Sequence, residues 1–565
     1  MITTNKTGIT QFIQACIDNG LKHVVCSPGS RNAPLLISFD EHPDIETYVI
    51  HDERSAGFYA LGLALELGTP VAVVCTSGSA VVNYYPAVVE AFYQAVPLVV
   101  ISGDRPTEWV DHGDGQTIRQ ANVFDKHCRG FLSVSENCDT KNQVATLRDE
   151  VKEMFQACNG NWKGPIHFNC PLTEPLYGTT ELEPQGQVVE HLQTNGLLSD
   201  DNKRLIAEKW NNFDRKLILV GQMMPDAQLK QELIQLCNDS SVAVLVENTS
   251  NLIDRKFIHC IDRALATIRL EEIEEFRPDL LITLGGAIIS KRIKTFLRES
   301  LIKEHWKVGY EFPAMDTYRH LSQSFEIPAS ELVRNINQSI EGPARSNYGS
   351  KWKQKDIIAA GAVASAVESL PYSDTKVFEL VLDYIPEESY LHMSNSSVVR
   401  YCQLFNPVNS IKYFANRGTS GIDGSSSTAC GVALASPNIL NVLITGDVSF
   451  FYDSNAFWSS NLSGNLRIIL INNNGGSIFR IIDGPSKTSQ LEKYFEAKHN
   501  FSAEHLCKAF DLTYKAASNM LDLERELQSF FLKDESNRPK LLEIHTPAED
   551  NDQALKDFFK RMKLS

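Results

Sequence analysis

Short runs of apolar and β-branched residues recur along the chain. Each run is bounded by Gly, Ser or Asp and is separated from the next by a segment with helix-like spacing. Continuous apolar strands that alternate with helices are typical of parallel sheets covered on both faces. The pattern therefore predicts an α/β fold built from doubly wound parallel sheets. The predicted strands are 23–26, 71–75, 98–102, 217–220, 242–246, 280–284, 442–445, 467–471 and 541–544.

Two polar stretches with Pro and Gly, at about 177–202 and 342–352, interrupt this pattern and are typical of linkers. They divide the 565 residues into three predicted domains, at 1–185, 195–340 and 355–565. The first and third share a loose plan of strand, Gly/Ser loop and small-residue helix, which favours two related domains. Ligands of such sheets bind beyond the carboxyl ends of the strands, so the residues that follow the strands are the candidates for chemistry.

Charge and cysteine usage narrow the class of protein. The net charge of −16 disfavours nucleic acid and anionic membranes as partners, because both require a basic surface. The twelve cysteines form no C-x-x-C pair, which favours reduced, buried thiols. The polar N-terminal residues lack a signal-peptide core, and the apolar stretches are too short to span a bilayer. We therefore expect a cytoplasmic protein without a membrane span.

Two polar loops of the third domain suit a magnesium ion. Asp447 follows one predicted strand, and Asn473, Asn474 and Gly475 follow the next. A carboxylate, an amide oxygen and a loop carbonyl at one sheet edge would leave positions for phosphate oxygens, as Mg²⁺ prefers. Gly-Asp followed about 26 residues later by Asn-Asn resembles the thiamine-diphosphate motif, although Val448 replaces its second glycine. Two ordinary turns are the alternative, and Asn473 is preferred over Asn474 as the ligand.

Glu53 lies at the start of a small-residue helix that follows a strand end near Ile50. An acidic residue there can simply stabilise the helix N-terminus. Alternatively, its carboxyl, in an apolar slot that raises its pKa, can hydrogen-bond the pyrimidine N1′ of thiamine diphosphate and activate the cofactor. In thiamine-diphosphate enzymes this Glu and the diphosphate site belong to different subunits. The second interpretation therefore implies at least a homodimer.

Taken together, these segments resemble the 2-succinyl-5-enolpyruvyl-6-hydroxy-3-cyclohexene-1-carboxylate (SEPHCHC) synthase family, in order and over almost the whole chain. The stretches that carry the resemblance are Ser27-Pro-Gly-Ser-Arg31, His51-Asp-Glu-Arg54, Thr76-Ser-Gly-Ser79, Gly103-Asp-Arg-Pro106, Gly115-Gln-Thr-Ile-Arg-Gln120, Asn169-Cys-Pro-Leu172, Glu174-Pro-Leu-Tyr177, Ser290-Lys-Arg292, Asn395-Ser-Ser-Val-Val-Arg400, Asn416-Arg-Gly-Thr-Ser-Gly-Ile-Asp-Gly424 and Asn472-Asn-Asn-Gly-Gly-Ser-Ile-Phe479.

The resemblance implies a thiamine-diphosphate enzyme with Mg²⁺ or Mn²⁺ that decarboxylates 2-oxoglutarate and adds the four-carbon unit to isochorismate in menaquinone biosynthesis. It also implies a homodimer or homotetramer whose active sites are shared between subunits. Another carboligase of the same superfamily, with a smaller and less cationic site, is one alternative. A non-catalytic member that keeps the fold is a second. The middle domain has no G-x-G-x-x-G motif after its strands, so we expect no flavin there.

The resemblance also assigns residues to the site. Both substrates are dicarboxylates, and Arg and Lys are the side chains that bind carboxylates. On the 2-oxoglutarate side it places Ser396 and Arg400, and mainly on the isochorismate side Ser30, Arg31, Arg105, Gln116, Lys291 and Arg417. Around the cofactor it places Glu53, Ser77, Gly78, Ile422, Asp447, Ser449, Asn473, Ile478 and Phe479, with Ile422 as the prop that bends it. Ile482 is a further expected wall residue, and the loop 483–490 is expected to order with the cofactor.

Overall fold

The structure is a computed structural model that describes residues 1–181, 198–481, 484–533 and 537–564. Its strands form three parallel sheets flanked by helices, which confirms the predicted α/β fold of three doubly wound sheets. Ile482 and Asp483, named above, lie outside the described residues, as does most of the first predicted linker. No helix in the described ranges combines the length and apolarity needed to cross a bilayer.

The first sheet is built from the N-terminal third of the chain. Its elements are β1 Ile2–Thr4, α1 Thr7–Asp18, β2 His23–Cys26, α2 Ala33–Asp40, β3 Glu46–Val49, α3 Glu53–Leu67, β4 Val71–Cys75, α4 Ser79–Asn83, α5 Tyr85–Gln94, β5 Leu98–Asp104, β6 Phe131–Ser133, α6 Lys141–Asn159, β7 Ile166–Pro171 and β8 Thr179–Glu181. Six strands pair in parallel in the order β3-β2-β4-β5-β7-β6, and β1 pairs antiparallel with β8.

The middle sheet has five parallel strands. Its elements are α7 Asp200–Asn212, β9 Lys216–Val220, α8 Ala227–Leu236, β10 Val242–Val246, α9 Ile261–Ala266, α10 Ile273–Phe276, β11 Leu280–Leu284, α11 Lys291–Arg298, β12 Glu304–Val308, β13 Leu321–Phe325 and α12 Ala329–Ser339. The strand order is β10-β9-β11-β12-β13.

The third sheet again has six parallel strands. Its elements are α13 Tyr348–Glu368, α14 Asp374–Tyr384, β14 Tyr390–Met393, α15 Ser397–Tyr401, β15 Lys412–Phe414, α16 Ser425–Ala435, β16 Asn441–Gly446, α17 Asp447–Tyr452, β17 Leu466–Asn472, α18 Ile478–Ile481, α19 Glu504–Ala509, β18 Thr513–Ala517, α20 Met520–Phe530, β19 Lys540–His545 and α21 Asn551–Leu564. The order β15-β14-β16-β17-β19-β18 repeats that of the first sheet, strand for strand. The common plan inferred from the sequence is therefore a shared topology.

Each of the nine predicted strands coincides with a strand of the structure, with bounds that differ by at most two residues at either end. Some of the strands that the pattern missed are short or lie at sheet edges, whereas the interior strands β7 and β12 are interrupted by polar residues. The edge strand β13 alternates half-buried and exposed residues, and β8 is exposed throughout. Such strands lack a continuous apolar run, because only one face, or neither, is covered.

The second predicted linker differs from the structure at its C-terminal end. Residues 348–352 form the start of α13, and Trp352 is buried against Phe276 and Phe296 of the middle domain. Further along, Ala359, Ala366 and Val367 of α13 are buried in the apolar core of the third domain. This one helix therefore belongs to the cores of both domains.

Two small-residue helices join the first and third domains. A Cβ placed on Gly62 of α3 would overlap the carbonyl oxygen of Thr428 in α16, and one on Gly431 would overlap that of Tyr59. Close approach of two backbones requires glycine at such points. The hydroxyl of Tyr59 also donates to the carbonyl of Ala456 at 2.6 Å. The glycines therefore set the spacing between these two domains.

Candidate active site

The two loops predicted to hold a metal meet at the carboxyl edge of the third sheet. Strands β16 and β17 are parallel neighbours, and Asp447 directly follows the first of them. Its carboxylate accepts a hydrogen bond from the backbone N–H of Val448 at 2.6 Å and from that of Gly475 at 2.9 Å. The side chain of Asp447 therefore ties the two loops together from a buried position.

Asn473 presents an amide oxygen to the same place. Its Nδ2 donates to the Asp374 carboxylate and to the Ser477 hydroxyl, both at 3.0 Å, and these bonds fix the orientation of the amide. Its Oδ1 is buried and has no hydrogen-bond partner among the described residues, whereas Asn474 is exposed. Buried polar atoms normally have a partner. An orphaned oxygen beside a buried carboxylate fits a hard cation such as Mg²⁺.

Asp374, at the start of α14, is a residue that the sequence analysis missed. Besides Asn473, its carboxylate accepts a hydrogen bond from the hydroxyl of Thr546 at 2.6 Å. Burial raises the pKa of Asp374 to about 6, against the effect of these two hydrogen bonds. An acidic residue in the first turn of a helix is common, so the sequence alone carries no signal for this role.

Gly475 lies where only glycine fits. Its φ is 145°, and a Cβ there would lie 2.6 Å from the carbonyl oxygen of Glu496. The N–H of Gly476 donates to that same carbonyl at 2.7 Å, and the buried Glu496 carboxylate accepts from Arg480 Nη2 at 2.9 Å. The metal loop is therefore supported from the segment around Glu496, which the sequence analysis also missed.

Apolar residues border the two loops, as the resemblance implies. The hydroxyl of Ser449 donates to the carbonyl of Ile422 at 2.6 Å, and the Ile422 residue is 37% exposed. Phe479 packs on Phe495 with ring centroids 5.8 Å apart, and Ile478 is buried. An exposed isoleucine held beside the metal loop is in a position to support a cofactor.

Lys291, Arg400 and Ile478 line one cavity of about 650 Å³. Lys291 comes from the middle domain, at the start of α11, and the other two come from the third domain. Arg400 donates to the backbone carbonyl of Ser396, so these two predicted neighbours are in contact. Burial lowers the pKa of Arg400. The cavity therefore combines cations from two domains with the apolar wall beside the metal loop.

Arg417 lines a second cavity. Its Nη1 donates to the Asn395 amide oxygen at 2.5 Å, and its side chain borders a cavity of about 530 Å³ with Lys294 and Lys307. Burial, followed by the charge of Arg400, lowers the pKa of Arg417. Asn395, which also donates to the carbonyls of Asn416 and Gly421, holds the loop in place.

Glu53 begins α3 at the carboxyl edge of the first sheet. The neighbouring Asp52 caps the helix by accepting from the N–H of Ser55 at 3.1 Å, so capping does not require Glu53. Glu53 is half-buried, and this burial is the largest cause of its raised pKa. Burial is the largest cause of the raised pKa of Cys75 and of Tyr84, and the charge of Glu53 contributes to both.

Gly78, Arg105 and Gln116 lie together at the same edge. A Cβ on Gly78 would lie 3.1 Å from the Gln116 Cα, and Arg105 Nη2 donates to the Gly115 carbonyl at 3.0 Å. The N–H of Gly78 donates at 2.8 Å to Gln120, which is buried and also donates to the Gly103 carbonyl. Gln120 lies within a stretch quoted for the resemblance, but its positioning of Gly78 was not inferred.

The remaining predicted residues of the first domain differ in their surroundings. Arg31 is buried and donates to the Leu172 carbonyl at 2.8 Å and to the Glu174 carboxylate at 3.3 Å. Ser30 is exposed. The Ser77 hydroxyl is buried, and no described residue pairs with it. Arg31 is therefore occupied by protein partners, while Ser30 is open to a ligand.

The predicted site residues thus form two groups, one around Glu53 in the first domain and one around Asp447 and Asn473 in the third. In the described part of the structure, no hydrogen bond or ion pair joins Glu53 to Asp447 or Asn473. The residues on either side of Glu53 instead make hydrogen bonds between the first and third domains. Asn455 donates to Asp52 at 2.7 Å, and Arg54 donates to the Tyr452 carbonyl at 2.8 Å.

Three protein-family models match the chain. The N-terminal TPP-binding domain of thiamine pyrophosphate enzymes matches residues 6–123, the middle domain 191–392 and the C-terminal TPP-binding domain 395–544. Together with the three sheets and the Asp447–Asn473 loops, they define a thiamine-diphosphate enzyme with a divalent metal ion. Its cofactor is thiamine diphosphate.

Curated relatives specify the family. Proteins named 2-succinyl-5-enolpyruvyl-6-hydroxy-3-cyclohexene-1-carboxylate synthase are 44% identical in Christiangramia forsetii and 41% identical in Flavobacterium johnsoniae, each over 98% of both chains. That of Bacteroides thetaiotaomicron is 34% identical over 99% of both chains. The chain belongs to the SEPHCHC synthase family and is an enzyme of the transferase type.

Proposed function

We propose that this enzyme decarboxylates 2-oxoglutarate and adds the resulting four-carbon unit to isochorismate, giving SEPHCHC and CO₂ in menaquinone biosynthesis. One observation supports this choice above the others: the cavity beside the metal loop carries Lys291 and Arg400 on its walls. A carboligase that takes only monocarboxylates does not require so cationic a cavity. The printed names of the relatives point to the same reaction.

The chain's own residues would hold the cofactor at both ends. When bound, thiamine diphosphate supplies the carbon nucleophile of the reaction. Asp447, the amide oxygen of Asn473 and the carbonyl of Gly475 would hold Mg²⁺ or Mn²⁺, and the charge of that ion would favour a diphosphate at this edge. Glu53 would hold a proton at the pyrimidine ring. Burial, the largest cause, raises the pKa of the Glu53 carboxyl, which is the direction that this role requires.

Further contacts to the cofactor follow from position. We assign Ile422 as the prop beneath the cofactor, Ser449 as the residue that fixes the carbonyl of Ile422, and Phe479 as an apolar wall. Ser77 and Gly78 would border the pyrimidine end, since both follow β4 at the edge where Glu53 lies.

The cations divide between the two substrates. We assign Ser396 and Arg400 to 2-oxoglutarate, because Arg400 lines the cavity beside Ile478 and is in contact with Ser396. The assigned isochorismate side consists of Ser30, Arg31, Arg105, Gln116, Lys291 and Arg417. Charged hydrogen bonds to carboxylates would orient both substrates before bond formation.

The proposed site needs residues of two different domains, as an active site shared between subunits requires. Glu53 belongs to the first sheet and the metal loops to the third, without a direct bond between them in the described residues. We therefore propose a homodimer or homotetramer in which the first domain of one subunit completes the site on the third domain of another. Sedimentation of the active enzyme tests this, and activity of a strict monomer would refute it.

The deciding experiment measures CO₂ release from 2-oxoglutarate with thiamine diphosphate and Mg²⁺, with and without isochorismate. We expect turnover that depends on isochorismate, and the same reaction without thiamine diphosphate serves as the blank. CO₂ release that is equal without isochorismate would remove the acceptor from the proposal. Turnover of pyruvate with 2-oxoglutarate inert would identify the smaller-substrate carboligase instead.

A further inference from the structure

Helix α21, at the C-terminal end of the chain, presents a row of side chains to the 650 Å³ cavity. Ala554, Phe558 and Met562 are buried in the core of the third domain and fix the orientation of the helix. The residues that line the cavity recur at intervals of three and four positions, as expected for one helix face. They are Asp552, Leu555, Lys556, Phe559, Lys560 and Lys563.

The charge of this cavity is opposite to that of the protein. Among the described residues that line it, six are cationic, namely Lys291, Arg292, Arg400, Lys556, Lys560 and Lys563. Two acidic residues also line it: Asp262 accepts from the Ser290 hydroxyl, and Asp552 pairs with Lys556 at 2.8 Å, so six cations face two acids. The chain as a whole has a net charge of −16 and would repel a dianion. A local excess of cations is therefore a specific feature of this cavity.

The helix is held against the cavity wall at its centre. The guanidinium of Arg292, from the middle domain, lies 3.8 Å from the ring centroid of Phe559. Lys556, Lys560 and Lys563 lie on either side of this contact and are exposed. Exposed lysines on flexible stems suit a mobile anion, whereas the half-buried Arg400 deeper in the cavity suits a fixed one.

We propose that Lys556, Lys560 and Lys563 form an anion-recruiting rim that attracts dicarboxylate substrates into the cavity and raises their apparent affinity. The proposal rests on the proposed function of this cavity. Like charges arranged around a cleft concentrate counter-ions there, and salt screens the effect. The rim acts on binding, so it should lower KM and leave kcat unchanged.

The test replaces Lys556, Lys560 and Lys563 together by Gln and measures kcat and KM for 2-oxoglutarate at several salt concentrations. At low ionic strength we expect KM to rise roughly three- to tenfold, with kcat within about twofold of wild type. The dependence of KM on salt should become flatter. If the triple variant has the same KM and the same salt dependence as wild type, the proposed rim is refuted.

Charge-matched controls separate the rim from the overall charge. The triple variant Lys152→Gln, Lys508→Gln, Arg561→Gln changes the net charge by the same amount at exposed positions outside the cavity. A finer pair compares Lys560→Gln with Arg561→Gln, adjacent on one helix. We expect the KM increase only for the rim variants, and equal effects of both triples would contradict the proposal.

A second readout does not depend on turnover. Acetylation of Lys556, Lys560 and Lys563 by an amine-reactive reagent, followed by mass spectrometry, should slow in the presence of 2-oxoglutarate. The uncharged dimethyl ester of 2-oxoglutarate should leave it unchanged. Protection without CO₂ release would refute the proposed function and retain the rim, whereas CO₂ release without protection would refute the rim alone.

Discussion

The first and third sheets have the same strand order and different chemistry at their carboxyl edges. In the first, the loops after β2, β4 and β5 carry Arg31, Ser77 and Arg105. In the third, the segments after the corresponding strands β14, β16 and β17 carry Arg400, Asp447 and Asn473. The topology thus determines where the segments that follow the strands meet, and the residues in those segments determine the chemistry of the edge.

The two sheets also differ at one pair of corresponding helices, which follow β3 in the first sheet and β15 in the third. In the first this helix is α3, which begins with the half-buried Glu53. In the third it is α16, preceded by Ile422 and by Gly424, whose φ of 78° is left-handed. A Cβ on Gly424 would overlap the ring of Phe58 in α3, so the two corresponding helices are in direct contact. In the proposed site, the first helix would contribute acid–base chemistry through Glu53, and the segment before the second would contribute shape through Ile422.

The largest expected effect comes from removing the acid of the first sheet. Glu53→Gln should reduce turnover about 100-fold or more, because the amide of Gln cannot exchange a proton with the pyrimidine ring as a carboxyl can. Cofactor affinity should stay within about twofold, since the metal loops belong to the third sheet. Steady-state kinetics and a cofactor titration measure the two quantities. Glu41→Gln, exposed in the same domain, is the control, and wild-type turnover by Glu53→Gln would exclude the role.

Asp447→Ala should mainly lower the affinity for the cofactor, in contrast to Glu53→Gln. Removing the carboxylate takes away a metal ligand and the acceptor for the Gly475 N–H, so we expect cofactor affinity to fall by about 100-fold. Titration of thiamine diphosphate at fixed Mg²⁺, followed by intrinsic fluorescence, measures this. Saturating cofactor should restore part of the activity. An unchanged affinity would remove Asp447 from the metal site.

Alanine substitutions at two glycines test the contact between α3 and α16. Gly62→Ala should destabilise the protein by about 1–3 kcal/mol, because the new methyl group overlaps the Thr428 carbonyl. Gly361 in α13 has no heavy atom near its Cβ position, so Gly361→Ala should stabilise the helix by about 0.5–1 kcal/mol. Thermal or denaturant unfolding compares them. Equal effects would show that the close helix contact is absent in solution.

The smallest effect should come from the residue that orients Asn473. Asp374→Asn leaves the size unchanged but removes a carboxylate acceptor for the Asn473 amide, so Mg²⁺ affinity should fall about 10-fold. A Mg²⁺ titration in the presence of thiamine diphosphate measures it. Asp383→Asn, exposed on the same helix, is the matched control. If both variants bind Mg²⁺ like wild type, Asp374 does not position the ligand.

The sequence by itself identified the fold class and the residues that occur in motifs. The central strands are continuous apolar runs, and Asp447, Asn473 and Glu53 follow strand ends at characteristic positions. These signals are local, because burial on both faces and the end of a strand are both visible within a few residues. The edge strands β13 and β8 left no such signal, since solvent contacts their polar residues.

The tertiary structure alone decided which distant residues support the site. Asp374 lies 99 positions from Asn473, and Gln120 lies 42 positions from Gly78, yet each fixes the orientation of its partner by a hydrogen bond. The lysines of α21 look like an ordinary solvated helix face in the sequence, and packing of Phe558 into the core turns that face toward the cavity. Such contacts depend on how whole elements pack, and no local pattern encodes them.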